Sequence, residues 1–136
     1  NKKPFLGICL GMQLICRESF EFGHFHGLNW IDASVRKLKA APGLTIPHVG
    51  WNDLKIKRKS RLIDNESADS MDVYFVHSYF VDSVETGIVS AVCEYGLEFP
   101  AIIEKDNIFA VQFHPEKSQA LGLGILKKFI DIDSYA

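Results

Sequence analysis

Pro4-Phe5-Leu6-Gly7-Ile8-Cys9-Leu10 is a short, nearly continuous apolar run, and Gly11-Met12-Gln13-Leu14-Ile15-Cys16-Arg17-Glu18 follows it with a helical pattern. Such a run predicts a strand buried on both faces, the kind found inside a parallel sheet. Strand, tight glycine turn and helix in succession begin an α/β layered fold. The 136 residues fit one domain, 1–136. At 47% hydrophobic and 24% charged, the composition is that of a soluble globular chain. A net charge of -2, from 15 Lys+Arg against 17 Asp+Glu, argues against a nucleic-acid or membrane-surface binder. No apolar run approaches membrane-spanning length. The three cysteines, 9, 16 and 93, show no metal-type CxxC pair. They argue for a reducing cytoplasm and one reactive thiol rather than a disulfide scaffold.

The middle of the chain is strand-rich. Leu54 to Lys57 alternates apolar and charged residues, and Asp72 to His77 and Gly87 to Cys93 are β-branched and aromatic. Asn107 to His114 is a further strand candidate, and Asn65 to Ser70 is polar and predicted to be a surface loop. A last helix follows Ser118 as N-cap, with Leu121, Ile125 and Phe129 on one side and Leu126 and Ile130 beside them. Gly122 and Gly124 weaken it by about 1 kcal/mol each relative to Ala, and a small residue there favours close packing on the sheet. The five basic residues from Lys55 to Arg61, followed by acidic ones, predict a solvated hairpin face.

Gly7-Ile8-Cys9-Leu10-Gly11 has the spacing of a nucleophile elbow with Cys in place of Ser. A sharp strand-to-helix turn holds the nucleophile clear of the sheet, and flanking glycines remove side chains that would clash. The helix N-terminus favours the thiolate, and the Leu10 N–H is placed to donate to an oxyanion. Taken alone, Cys9 is equally a small buried apolar residue, as free cysteines usually are. Cys16, inside the helix pattern, and Cys93, inside a strand, are read as packing.

A cysteine nucleophile needs a base. Of the five histidines, His114 ends an apolar strand, where functional residues of α/β sheets collect. Pro115 biases His114 towards an extended conformation, so His114 and Glu116, two apart, meet side by side. Glu116 then holds the imidazole tautomer as the third member of a triad does. His24 and His26 lack a third ligand at credible spacing, so no metal site is expected.

Gly7 to Gln13, followed far downstream by Gln112-Phe113-His114-Pro115-Glu116-Lys117-Ser118, resembles the class I (triad) glutamine amidotransferases. Pro47-His48-Val49-Gly50-Trp51-Asn52 and Tyr74-Phe75-Val76-His77-Ser78-Tyr79 are similar to the branch that serves imidazole glycerol phosphate synthesis in the histidine pathway. The resemblance implies a flavodoxin-like α/β sheet flanked by helices. It implies glutamine hydrolysis to glutamate and ammonia, with Cys9 forming a glutamyl thioester and His114 and Glu116 completing the triad. Gln13 and the backbone at His77, Ser78 and Tyr79 match glutamine-binding positions. Trp51, Asn52, Tyr74 and Lys117 match positions at the interface with a (βα)8-barrel cyclase subunit that receives the ammonia. No cofactor is implied. On the residues alone, Trp51 and Tyr74 are equally core aromatics, Asn52 a turn residue and Lys117 a solvated charge.

Relative to that family the chain lacks the first strands and an upstream glycine-containing oxyanion segment. The expectation is an N-terminally truncated domain, its C-terminal portion, that is a poor glutaminase by itself: one lost oxyanion donor costs about 2.7–4 kcal/mol. Three alternatives stand beside this reading: a related amidotransferase aminating nucleotide-linked sugars for surface polysaccharides, a cysteine peptidase or small-molecule hydrolase on a similar elbow, and a truncated, inactive binding module.

Overall fold

The computed structural model describes residues 2–64 and 71–132; the polar stretch from Asn65 to Ser70 lies outside the described residues. Strand β1 (Phe5–Ile8) runs into helix α1 (Leu10–Leu14), then β2 (Cys16–Ser19), β3 (Phe25–His26) and β4 (Ile31–Lys37). Next come β5 (His48–Asp53), β6 (Lys55–Ile56), β7 (Asp72–His77) and β8 (Tyr79–Asp82). The chain ends through β9 (Val89–Glu94), β10 (Glu98–Lys105), β11 (Ile108–Val111), a 3₁₀ turn (Pro115–Lys117) and α2 (Gln119–Ile130).

The strands form three sheets, ordered β1-β11-β10-β9-β6, β3-β2-β4-β8 and β5-β7. The α/β class expected from the sequence is present, but the sheets are mixed. β1 with β11 and β2 with β4 pair in parallel, whereas β4–β8, β5–β7, β6–β9 and β9–β10–β11 pair antiparallel. The expectation of a strand buried on both faces fails for β1. It has β11 as its one ladder neighbour among the described residues and is only half-buried apart from Gly7. That double burial belongs instead to β10 and β11. Ile102, Phe109 and Val111 enter a core shared with Phe75, Phe99, Phe113 and Ile125, while Ile103 and Ala110 enter one with Met12, Ile15, Val35 and Val81. The five-stranded sheet is thus covered by α2 and the β5–β7 pair on one face, and by α1 and the four-stranded sheet on the other.

The first helix is shorter than its pattern predicts. It ends at Leu14, and Cys16 to Ser19 is strand β2. The cause is tertiary. The orphan carbonyls at the helix end are taken by the 28–31 segment, Leu14 O by Leu28 N–H (2.9 Å) and Ile15 O by Trp30 N–H (2.9 Å). Cys16 therefore opens a strand instead of sitting inside a helix, though it is buried as expected. The basic run is solvated as expected but is no hairpin: β6 pairs with β9 at the sheet edge among the described residues, and Lys57 and Arg61 pair with Glu98 (3.6 Å) and Glu104 (2.9 Å).

The last helix forms over 119–130, with Ile125 buried, Leu121 and Phe129 against the core and Ile130 on the exposed side, contrary to its expected place. Ser118 occupies the N-cap position without capping. Its hydroxyl donates to His114 O (2.6 Å) and accepts from Tyr74 N–H (3.0 Å). Gly122 permits close packing on the 3₁₀ turn rather than on the sheet, since a Cβ there would lie 1.9 Å from Pro115 O, whereas one at Gly124 would meet nothing within 4 Å. Gly122→Ala should destabilise the fold by about 1–3 kcal/mol, and Gly124→Ala should stabilise it by about 1 kcal/mol. Denaturant titration of the two variants checks the opposite signs.

Candidate active site

Cys9 follows β1 directly, and its N–H continues the ladder to Val111 O at 2.8 Å. Because β1 and β11 run parallel with Ile8 opposite Val111, the residues after each strand emerge at the same edge. Cys9 has φ 52°, ψ -101°, a left-handed conformation that a non-glycine residue adopts only when its surroundings impose it. The elbow geometry predicted from the two glycines is therefore present, but only one glycine explains it. A Cβ on Gly7 would fall 2.7 Å from the Gly11 carbonyl carbon, whereas one on Gly11 would meet nothing within 4 Å.

The thiol is half-buried and uncharged in its contacts. Its hydrogen-bond partners are Val76 O, which accepts at 3.8 Å, and the Gln112 side-chain amide, which donates to Sγ at 3.6 Å. Burial pushes the Cys9 thiol up from its ordinary value; the Leu10 N–H and the Gln112 amide pull it back in part, and the charges of Glu116 and Glu21 add to the rise. The N–H of Leu10 at the start of α1 favours the thiolate as expected, but burial outweighs it. Cys16 and Cys93 are buried and pushed up to about 12 by burial, which suits packing. All three cysteines are free.

His114 lies three residues beyond β11 in an extended conformation, tied to β7 by its N–H to Tyr74 O (2.9 Å). Its Nδ1 and Glu116 Oε1 are 2.6 Å apart, so the pair expected from the spacing is made. Glu116 reaches it from inside the 3₁₀ turn, not from a continued strand. An Nδ1–H donating to the carboxylate leaves Nε2 free to take a proton.

Gln13 is buried and its side-chain amide donates to Tyr79 O (3.1 Å) and Gln112 Oε1 (3.4 Å). His77 closes on the same carbonyl, with Nδ1 2.8 Å from Tyr79 O. The Ser78 carbonyl is taken by Leu38 N–H at 2.8 Å. The corner from β7 to β8 is thus pinned from both sides beneath Cys9. Trp51 and Tyr74 stand opposite each other across β5–β7, ring centroids 5.8 Å apart, with Lys117 Nζ 5.9 Å above the Tyr74 ring. Asn52, grouped with them on sequence, points the other way: its amide donates to His48 Nε2 (3.3 Å) and Glu94 O (3.0 Å).

Two residues at the site escaped sequence reasoning as site residues. Gln112 is fully buried between Cys9 and Gln13, and only its place beside Phe113-His114 hinted at it. His48 is 3% exposed and stacked on Tyr95 at 3.9 Å. Among the described residues no group of three His, Cys, Asp or Glu is placed to hold a metal ion, and no helix is long and apolar enough to cross a membrane. A groove of about 610 Å³ lined by Arg36, Lys37, Phe80, Asp82, Leu97 and Glu98 contains none of these site residues.

A cysteine on a strand-to-helix elbow, with a histidine–carboxylate pair just beyond the adjacent strand, is a constellation suited to thiol nucleophilic chemistry. The chain belongs to the class I glutamine amidotransferases: the family model "Glutamine amidotransferase class-I" matches residues 1–132. It is 50% identical over 132 residues to the imidazole glycerol phosphate synthase subunit HisH of Geobacter sulfurreducens, across 93% of this chain and 63% of the relative. It is 52% identical over 127 residues to the subunit of the same name from Caldanaerobacter subterraneus, across 93% and 61%. The chain thus spans less than two thirds of the length of these curated relatives. A putative GMP synthase protein from Thermoplasma acidophilum superimposes with a TM-score of 0.67 at 24% identity, over 96% of this chain and 57% of that one. A glutamine amidotransferase from Thermotoga maritima does so with 0.60 at 21%, over 94% and 47%. At those identities the likeness is one of fold.

Two measurements test the electrostatics. Gln112→Leu removes a donor to Sγ, so the pH at which Cys9 reacts with iodoacetamide should move further up and alkylation at fixed pH should slow, with Cys16 and Cys93 unlabelled throughout. Burial holds His48 down to about 4 from its ordinary 6.5, with His77 adding to the shift. The unfolded chain then takes up this proton before the folded one, so stability falls as pH drops from about 6.5 to about 4. His48→Phe should make that fall shallower in denaturant titrations across the window.

Proposed function

We propose that this protein is the glutaminase subunit of an imidazole glycerol phosphate synthase, a single amidotransferase domain over residues 1–136. It supplies ammonia to a (βα)8-barrel cyclase in histidine biosynthesis and works in the cytoplasm as one half of a heterodimer. The observation that carries the reading is the placement of Cys9 and the His114–Glu116 pair at the ends of adjacent parallel strands. Relatives at about half identity bearing the synthase-subunit name support the choice of pathway over sugar amination. Family membership favours glutamine over a peptide as the substrate.

In the proposed reaction His114 Nε2 takes the Cys9 thiol proton. That step is needed because burial disfavours the free thiolate, and it requires the sulfur to turn from the Val76 carbonyl. Sulfur attacks the side-chain carbonyl carbon of glutamine, and the oxygen that becomes negative is met by the Leu10 N–H. The C–N bond breaks as His114 returns its proton to the leaving nitrogen, releasing ammonia and a thioester. His114 then takes a proton from water, the hydroxide adds to the thioester carbonyl, and the C–S bond breaks as His114 returns that proton to sulfur, releasing glutamate and restoring the thiol. Glu116 keeps the Nδ1 proton in place and offsets the imidazolium charge in both half-reactions. Gln13 and the corner at His77, Ser78 and Tyr79 shape the glutamine pocket. Trp51, Tyr74 and Lys117 form the face that meets the cyclase, while Asn52 acts from behind it.

The test is intact-mass analysis after incubation with 6-diazo-5-oxo-norleucine, an electrophilic glutamine mimic. A single adduct should form, be suppressed by glutamine and vanish in Cys9→Ser. An adduct that persists in Cys9→Ser, or that glutamine does not suppress, would sink the reading.

A further inference from the structure

Behind the β5–β7 face a line of polar groups runs from half-buried Asn52 through buried His48 and His77 to the Tyr79 carbonyl, and His48 has no part in the proposed reaction. Asn52 Nδ2 is 3.3 Å from His48 Nε2, His48 Nδ1 is 3.0 Å from His77 Nε2, and His77 Nδ1 is 2.8 Å from Tyr79 O. The proton positions follow from the two ends. Tyr79 O is a carbonyl and only accepts, so His77 carries its proton on Nδ1 and presents a lone pair at Nε2. His48 must then donate from Nδ1 and accept at Nε2. Asn52 supplies that donor, and its orientation is fixed independently: Nδ2 also donates to Glu94 O (3.0 Å) and Oδ1 accepts from Asp53 N–H (2.8 Å). All the bonds run in one direction, and both rings are neutral.

Stacking does not require this chemistry. His48 lies against Tyr95 (3.9 Å, 20° between planes) and Phe75 (4.8 Å, 21°), a slot that a phenyl ring fills equally well. Burying a ring with two polar nitrogens is unfavourable unless both are bonded, and here both are. The titratable groups facing the pair are the rings themselves, Tyr95 stacked on His48, and His114, whose charge bears on His77.

We propose that His48 is a positioning residue: with Asn52 it locks His77 as the Nδ1–H tautomer and so fixes the Tyr79 carbonyl and the 77–79 corner. Gln13 donates to the same carbonyl and touches Gln112, which touches Cys9, so the lock reaches the thiol through two side chains. Its effect on catalysis rests on the glutaminase reading; the tautomer lock does not.

The experiment begins with imidazole ¹⁵N shifts of the unaltered full chain at neutral pH. Both His48 and His77 should show a protonated Nδ1 and a bare Nε2. An Nε2–H tautomer or an imidazolium at either ring overturns the proposal. His48→Phe, which keeps the stack and loses the donor, should move the Tyr79 carbonyl ¹³C resonance. It should also raise the glutamine KM about tenfold, with kcat changed less than about threefold. His48→Asn places a donor where Nδ1 was, and should restore both readings even if its Tm is lower. A His48→Phe protein indistinguishable from the parent, or a folded His48→Asn protein that behaves like His48→Phe, overturns it. Absence of glutamine turnover in the parent would strike the functional reading alone, because the nitrogen and carbonyl shifts report the lock without it.

Discussion

The parallel pairing of β1 with β11 is the contact on which the rest depends. Four residues of β1 lie in register against Ile108 to Val111, and the ladder runs on into the elbow through Cys9 N–H. Parallel strands end at the same edge, so one pairing brings position 9 beside the residues around position 114, more than a hundred positions away. The pairing also sustains the strain at Cys9. A left-handed cysteine persists where its N–H is bonded, Gly7 leaves room for the returning backbone, and Met12 and Ile15 anchor the following turn in the core.

Polar burial around that edge is extensive but ordered. Gln13, Gln112, His48 and His77 are all buried, and each has partners. In a low-dielectric setting such groups are costly when single and rigid when joined, because each fixed proton dictates the next. The same setting pushes the Cys9 thiol's pKa up, so the proposed thiol chemistry needs a base, which the histidine–carboxylate pair would supply.

How far the site could be read from the chain varies with how local its cause is. The elbow is written in Gly7 and Cys9, and the contact of His114 with Glu116 in the two-residue spacing around Pro115. The strands at 72–77 and 108–111 are written in β-branched and aromatic runs. Less legible was whatever another segment decides. The first helix stops at Leu14 because residues 28–31 take its carbonyls. Ser118 fails as a cap because Tyr74 and His114 hold its hydroxyl. Asn52 faces inward because Glu94 O and His48 wait there, and its neighbour Trp51 faces the other side of the strand.

By itself, then, the sequence determined the residue types that can do thiol chemistry, the turn that presents Cys9, and the family to which the chain belongs. It did so because glycine sterics, proline restriction and short spacings act within a few residues. The tertiary structure alone decided that Gln112 bonds the sulfur, that burial raises the thiol's pKa, and that two histidines 29 positions apart share a proton-ordered contact. Desolvation and hydrogen-bond direction depend on what surrounds a group in space, and no local pattern in the chain encodes that.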